Sequence, residues 1–470
     1  MAPVTDTGFA HAGPTPGSGT PLSRLAASST YRRATAWLLW LFILGNGAGS
    51  IALWVDAGGL DAIRSSGDII TSIGRITGLT GAYLSLVQVL LLARLPWIER
   101  LAGFDRLTVW HRWNGKAALY LVVAHVIFTT VGYSLNDQLS VWAEVQALLT
   151  TNYPGMWTAT IGTVLFIVVA CSSYAIARRR LRYEVWYCIH FTAYASIALA
   201  WFHEIPTGSD LAALPVATAY WTSLYIATLA LLVVFRVLVP LARTLAHGLR
   251  VSEVVQEAPG VVSLTITGRH LGGLNAQAGQ FFLWRFLTRG RWFESHPFSL
   301  SAAPDGRSLR ITVKGLGNFS GKIAQDIRPG TRVVAEGPFG AFTTALRRRD
   351  RVVLIAGGIG ITPVRALLEQ MGGDVVVLYR VMRDENVVFR DELDRIAAAR
   401  GARVEYLVGD HATPEGARLL TAEHLREILP DIAEREVYLC GPPAMTDAIE
   451  QHVRNAGVPR RSLHVERFAL

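Results

Sequence analysis

The chain has 470 residues, 51% of them hydrophobic and only 17% charged, with a formal net charge of +9 and a mean hydropathy of +0.31. Soluble chains of this size carry about a quarter charged residues, so the composition excludes an ordinary soluble protein and points to a membrane-embedded part. Three cysteines are too few for a disulfide framework, and too few for a ferredoxin-type cluster, which needs four thiolates.

Residues 1–30 are rich in Gly, Pro, Ser and Thr and poor in large apolar groups, which predicts a disordered tail with no cleaved signal peptide. Six apolar runs follow, at about 35–55, 74–93, 108–132, 157–177, 185–204 and 217–239, each close to the length a bilayer requires. Eleven of the thirteen tryptophans lie at or before Trp221, which predicts interfacial belts in the first half and a different solvent for the second. Arg32 and Arg33, the run Arg94, Arg100, Arg106 and Arg112, the cluster Arg178, Arg179, Arg180 and Arg182, and Arg243 with Arg250 all fall on one side of a six-span bundle. The connections 133–156 and 205–216 contain no Lys or Arg, and the first outer loop holds only Arg64 and Arg75. Both termini are therefore expected in the cytoplasm of an inner-membrane protein. The positive charge then serves orientation and contact with anionic lipid, and no nucleic-acid partner is needed.

Within this frame the third run carries His111 and His125, fourteen residues apart, and the fifth carries His190 and His203, thirteen apart. At about 1.5 Å per residue each pair is separated by roughly 20 Å inside a hydrocarbon slab of roughly 30 Å. If the two runs lie side by side, His111 faces His190 and His125 faces His203, giving two bis-imidazole iron sites stacked across the membrane. The alternative is hydrogen bonding between helices. One detail resists the symmetric picture: at about 100° per residue fourteen positions return near the starting azimuth, whereas thirteen miss by about 140°. His203 precedes Glu204 and Pro206, where the helix is expected to end and a local distortion to turn the ring inward.

Beyond residue 248 the apolar runs shorten to strand length. Segments 261–266, 280–284, 308–313 and 332–336 read as strands between Gly and Pro turns, which predicts an antiparallel barrel of about 100 residues. In it, the run His296-Pro-Phe-Ser-Leu-Ser301 sets an aromatic ring beside small hydroxyls, suited to a flavin ring and its ribityl chain, or is an ordinary strand end. The run Lys314-Gly-Leu-Gly-Asn-Phe-Ser320 leads into an expected helix start at Gly321 and can cradle a pyrophosphate on backbone amides.

From about residue 350 strand and helix alternate, which predicts a parallel sheet. The apolar strand 352–356 runs into Gly357-Gly-Ile-Gly-Ile-Thr-Pro363 and a helix over 364–371, placing a glycine turn where a dinucleotide phosphate meets a helix N-terminus. The next strand, 374–379, ends at Arg380 and Arg383, cations that favour a 2′-phosphate and hence NADPH, although Asp384 and Glu385 beside them also suit a solvated charged loop and leave NADH as the alternative. The strand 437–439 leads into Cys440-Gly-Pro-Pro-Ala-Met445, near the same crevice.

Taken in order, the paired histidines, HPFSLS, KGLGNFSG, Glu336-Gly-Pro-Phe-Gly340, AGGIGITP and CGPPAM make the chain resemble the ferric reductase and NADPH oxidase superfamily over nearly its whole length. That resemblance implies two b-type haems, FAD and NADPH. It implies that Phe298 and Ser299 contact FAD with His296 and Pro297 framing the site, and that Lys314, Gly317 and Ser320 lie toward its pyrophosphate. It further implies that Gly357, Gly358, Gly360, Thr362, Pro363, Arg380, Arg383, Gly441 and Pro442 line the nucleotide site, with Cys440 near the nicotinamide. Phe468 matches a terminal aromatic that covers the flavin in such enzymes, although here two residues follow it.

The expected organisation is a tail at 1–30, a six-span di-haem domain at 31–245, an FAD-binding barrel at 246–347 and an α/β NAD(P)H-binding domain at 348–470. The expected activity moves electrons from cytoplasmic NADPH through FAD and two haems to dioxygen or a ferric chelate on the far side. The rivals are an electron conduit to a partner protein and a non-enzymatic haem-binding membrane protein. No EF-hand pattern is visible, so direct calcium gating is not expected.

Overall fold

The computed structural model describes residues 29–468, apart from 103, 151–152, 175–176, 178–179, 182, 208–210, 212–213, 290–293, 316–320, 322 and 324–325. Most of the predicted tail, Arg178, Arg179 and Arg182, and the predicted site residues Gly317 and Ser320 lie outside the described residues. The chain divides into two compact units, residues 1–232 and 233–470.

The first unit is helical. Among the described residues five helices are long and apolar enough to cross a bilayer, at Ser66–Leu91, Arg106–Asn136, Met156–Ser173, Val185–Thr207 and Pro215–His247. The first predicted span folds as the helix Ser29–Asp56 and is not one of the five. Arg75, read from sequence as part of an outer loop, belongs to the Ser66–Leu91 helix, which starts earlier than the apolar run because Ser65 and Asp68 form a reciprocal capping box. The connection after Asn136 contains a further short helix, Val141–Thr150.

The Ser66–Leu91 helix packs closely along the Phe104–Asn136 helix, and glycine is the reason. A methyl group built on Gly67, Gly74, Gly78 or Gly81 would meet Asn136, Thr129, His125 or Val122, at 3.1 Å or less in every case. Small residues at this spacing let membrane helices approach backbone to backbone, where apolar burial gives no drive because lipid is equally apolar.

The helix Tyr183–Thr207 includes Pro206 and its described part ends one residue beyond it, close to the expected end. Proline has no N–H for the carbonyl four residues back, that of Phe202, and Gly155 packs against that carbonyl, since a methyl on Gly155 would lie 2.4 Å from it.

The second unit opens with two three-stranded antiparallel sheets, ordered β1-β2-β5 and β4-β3-β6. The strands are β1 Arg250–Ala258, β2 Val261–Thr267, β3 Phe281–Phe286, β4 His296–Ser299, β5 Ser308–Lys314 and β6 Val333–Phe339. They enclose one core that includes Leu264, Phe282, Trp284 and Ile311. The expected barrel is thus a pair of sheets touching at two single bridges, Arg250 to Arg332 and Leu300 to Ile311. Sequence reading missed β1, whose burial pattern is mostly exposed and so lacks the apolar signal of a strand.

A five-stranded parallel sheet follows, ordered β11-β10-β7-β8-β9, from β7 Arg351–Gly357, β8 Asp374–Val381, β9 Arg403–Val408, β10 Glu436–Gly441 and β11 Leu463–Arg467. Strands β7, β8 and β10 are almost wholly buried, as parallel strands covered on both faces must be. The chain winds outward from β7 to β9 and returns on the other side of β7 with β10. The switch point between β7 and β10 is where such sheets bind ligands.

Candidate functional site

The helices Phe104–Asn136 and Tyr183–Thr207 bring all four predicted histidines into two facing sets. The rings of His111 and His190 have centroids 6.1 Å apart, tilted by 55°. Two in-line metal–imidazole bonds of about 2 Å, plus roughly 1 Å from each nitrogen to its ring centre, give about 6 Å, so the spacing matches one iron held between the rings. His125 and His203 line a common cavity of about 330 Å³ together with Arg75, Gly78, Glu204 and Tyr225.

What orients these rings is the neighbouring Ser66–Leu91 helix, predicted as a span but not as a support for the histidines. His125 Nδ1 lies 2.8 Å from the Gly74 carbonyl and His111 Nδ1 lies 3.2 Å from the Gln88 carbonyl. Gly74 and Gln88 are fourteen residues apart, the same interval as the two histidines. A ring that donates from Nδ1 to a carbonyl presents Nε2 as a free acceptor, the usual arrangement behind a metal-bound histidine. Gly78 clears the space, since a methyl there would sit 2.6 Å from His125 Nδ1. The signal was present in the sequence as Gly74 and Gly78, four residues apart and on one helix face.

The partner histidines are held differently. His190 Nδ1 lies 3.3 Å from the Ser173 hydroxyl, and Trp186, one turn earlier, stacks on the ring at 4.9 Å. His203 Nδ1 is buried with no hydrogen-bond partner. Beside it the Glu204 carboxylate accepts from Trp221 Nε1 at 2.7 Å and from the Tyr225 hydroxyl at 2.9 Å. Among the described residues no three or more His, Cys, Asp or Glu converge on a metal position. Two imidazoles per iron leave the remaining ligands to a macrocycle, so the donor set fits haem and no bare ion.

In the second unit, β4 presents the HPFS run. It pairs with β3, His296 opposite Trp284 and Ser299 opposite Phe281, and Trp284 Nε1 donates to the Phe298 carbonyl at 3.0 Å. Ser299 is buried, Phe298 and His296 are half-buried and Pro297 is exposed. The His296 and Phe298 rings stack at 6.4 Å. Burial brings the His296 imidazole down to about 4, so at neutral pH it is uncharged. Lys314 closes β5 opposite Val261.

The two nucleotide turns meet at the switch point. β7 and β10 run parallel with Ala356 opposite Cys440, and the glycine turn leads directly into the helix Ile361–Gln370. Gly358 takes a left-handed φ of 52°, which glycine adopts without strain. A methyl on Gly360 would lie 2.4 Å from the Cys440 carbonyl oxygen, so only glycine lets the turns touch. Thr362 and Pro363 are buried in the first turn of the helix. Phe468 N–H donates to the Gly441 carbonyl at 3.2 Å, which fixes the terminal aromatic at the CGPP turn.

Two of the predicted residues are already engaged by the protein itself. The Cys440 side chain is fully buried, and burial pushes its thiol well up, so it is a neutral packing group and not a thiolate. The Arg380 guanidinium is taken up by backbone carbonyls, of Val381 and Gly409 at 2.5 Å, Gly416 at 3.2 Å and Leu407 at 3.3 Å. It ties β8 to the 407–416 segment and presents no open fork to a phosphate. Arg383 is 77% exposed beside Glu385 and is the better placed of the two.

Three family models match the chain in this order: ferric reductase like transmembrane component at residues 77–201, FAD-binding domain at 250–343 and oxidoreductase NAD-binding domain at 354–451. A 3-ketosteroid-9-alpha-monooxygenase ferredoxin reductase component of Mycolicibacterium smegmatis is 32% identical over 47% of this chain and 65% of its own. A flavohemoprotein of a Burkholderia species is 29% identical over 42% of this chain and 52% of its own. The NADH oxidoreductase HCR of Escherichia coli is 27% identical over 45% and 65%. The chain thus spans about half to two thirds of the length of these relatives. Among solved structures, the flavohem-like FAD/NAD-binding domain of nitric oxide dioxygenase from Vibrio cholerae matches 47% of this chain and 98% of its own, with 26% identity and a TM-score of 0.39. The order of the three matched models is the ferric reductase and NADPH oxidase type of architecture, a membrane-type helical part followed by FAD-binding and NAD-binding oxidoreductase domains.

Proposed function

We propose that the chain is a transmembrane flavocytochrome that takes electrons from cytoplasmic NADPH and delivers them singly to an acceptor on the far side, a ferric chelate or dioxygen, giving ferrous iron or superoxide. The observation that carries this reading is the 6.1 Å facing of His111 and His190, with His125 and His203 fourteen and thirteen residues further along the same two helices. When bound, FAD would supply the division of a hydride pair into single electrons, and the irons held by the two histidine pairs would supply the one-electron steps.

The chain's own residues do the holding. His111 and His190 would hold one iron and His125 and His203 the other, while the Gln88 and Gly74 carbonyls keep Nδ1 of His111 and His125 in the donor role. Phe298 and Ser299 on β4 meet the flavin. The amides at Gly358 and Gly360 and the start of the Ile361–Gln370 helix meet the dinucleotide phosphates. Phe468, pinned at Gly441, covers the crevice. We assign the di-haem part to 31–245, with Ser29–Asp56 as a sixth span, the FAD part to 246–347 and the nucleotide part to 348–470. The arginine-rich connections face the cytoplasm of the cell membrane.

With two histidines committed to each iron, the acceptor would take its electron without becoming an iron ligand. The test is reduced-minus-oxidised haem spectroscopy with NADPH on wild type, His111→Ala and His125→Ala. Loss of His111 should block electron entry, and loss of His125 should leave one haem reducible; two fully reducible haems in both variants overturn the ligand assignment. Incubation of the purified protein with NADPH alone then identifies the acceptor. Superoxide production supports the oxidase, and inertness until a ferric chelate or a partner protein is added supports the reductase or the conduit.

A further inference from the structure

The FAD-binding and NAD-binding segments are joined by a closed ring of charged groups. Arg310, on β5, gives Nη1 and Nη2 to the two carboxylate oxygens of Glu392 at 2.9 Å each. The same guanidinium donates to the Ser301 carbonyl at 2.9 Å and to its hydroxyl at 3.2 Å. Glu392 also accepts from Arg365 at 2.8 Å. Arg365, only 4% exposed, holds Glu369 at 2.6 Å, and Glu369 accepts the backbone N–H of Ala303 at 2.7 Å. The ring therefore leaves the FAD segment at Ser301 and returns to it at Ala303.

Its placement is specific. Ser301 ends the HPFSLS run, and a chain of buried hydroxyls ties it into the sheet, Thr312 to Ser301 at 2.8 Å and Ser263 with Thr312 at 2.7 Å. Arg365 and Glu369 lie on the helix that begins at the glycine turn. Glu392 lies in the first turn of the helix Arg390–Arg400. The Arg310 guanidinium rests over the Phe389 ring at 5.0 Å, and Phe389 holds a left-handed φ of 66°, which a bulky residue adopts only when its surroundings impose it. Buried ion pairs add little net stability over apolar packing but can fix geometry, and a bidentate fork does so in direction as well as distance.

We propose that this ring is an inter-domain clamp that sets the reach of hydride transfer between the flavin-binding strand end and the nucleotide helix, with Arg310 and Glu392 as its positioning residues. The proposal rests on the reading that NADPH reduces flavin in this unit. It adds no chemical step. The hydride leaves the reduced nicotinamide and is received by the flavin, one oxidised and the other reduced by two electrons, and the clamp exchanges neither proton nor electron. Transfer of this kind is steep in geometry: a misplacement of about 1 Å lowers a rate about 100-fold.

Anaerobic stopped-flow bleaching of the flavin by NADPH, on the full-length FAD-loaded protein, tests it. Glu392→Gln, Arg310→Leu and the double variant should each lower the limiting rate about 10- to 100-fold. FAD content and the NADPH concentration for half-maximal rate should stay within about twofold, and the thermal midpoint within about 4 °C of wild type. The double variant should be no slower than the slower single one, because both break the same contact, and Arg310→Lys should recover part of the rate. Rates that match wild type, or that fall only in step with FAD loss or thermal midpoint, overturn the clamp. A wild-type flavin that NADPH does not bleach overturns the function reading and the clamp with it, whereas equal bleaching in wild type and variants overturns the clamp alone.

Discussion

The membrane unit and the nucleotide crevice both depend on glycine, for opposite purposes. In the bundle, Gly74 and Gly78 let a helix come close enough to give its carbonyl to the His125 ring. In the crevice, Gly360 lets one backbone turn rest on another, against the Cys440 carbonyl. The solvent explains the difference. In lipid each polar group must be satisfied within the protein, and the carbonyls of an adjacent helix are the ready partners. In water a binding turn can keep its amides open, and its geometry is then fixed by packing and by ionic contacts such as Arg310 with Glu392.

The comparison breaks most completely at the histidines. His125→Ala should abolish one of the two haems and leave the FAD and NADPH chemistry unchanged, measured as haem to flavin ratio in the purified protein. Next in size is Gly360→Ala, whose methyl meets backbone with no room to shift. It should remove NADPH-driven flavin reduction while haem content stays at the wild-type level. Gly78→Ala sharpens the contrast, because its methyl meets the His125 ring, a side chain that can turn. Loss of the orienting bond should weaken haem retention at that site about 10- to 100-fold, read as haem lost during gel filtration, with the His111–His190 site retained.

Smaller effects are expected at the surface of the crevice. Arg383→Ala should reduce the preference for NADPH over NADH only a few-fold, since the side chain is exposed and screened, as measured by kcat/KM for the two nucleotides. Smallest is the pH effect of His296. Its folded value, lowered by burial to about 4 from 6.5, means that the unfolded chain binds the extra proton first. The stability it contributes is full above about pH 6.5 and is lost as the pH falls toward 4. His296→Gln should flatten the dependence of the soluble half's thermal midpoint over that window.

Much of this was legible without coordinates. Helix rise and depth in the bilayer paired His111 with His190, whose rings lie 6.1 Å apart, and the glycine turn read after an apolar strand lies at the junction of β7 and β10. The errors have physical causes. Arg380 reads as a phosphate ligand because a cation at a strand end is ambiguous until its neighbours are known, and here four carbonyls surround it. β1 escaped because its exposed face hides it from an apolar pattern.

By itself, then, the sequence determined the elements whose signals are local: the apolar runs, the histidine spacing, the glycine turns and the division into a lipid-facing and a water-facing half. Only the tertiary structure decided which carbonyl faces which imidazole, that Cys440 is buried, and that Arg310 closes a ring with Glu392, Arg365 and Glu369. Each of these joins residues distant in the chain, and the free energy of such a contact depends on burial and direction, which local sequence does not encode.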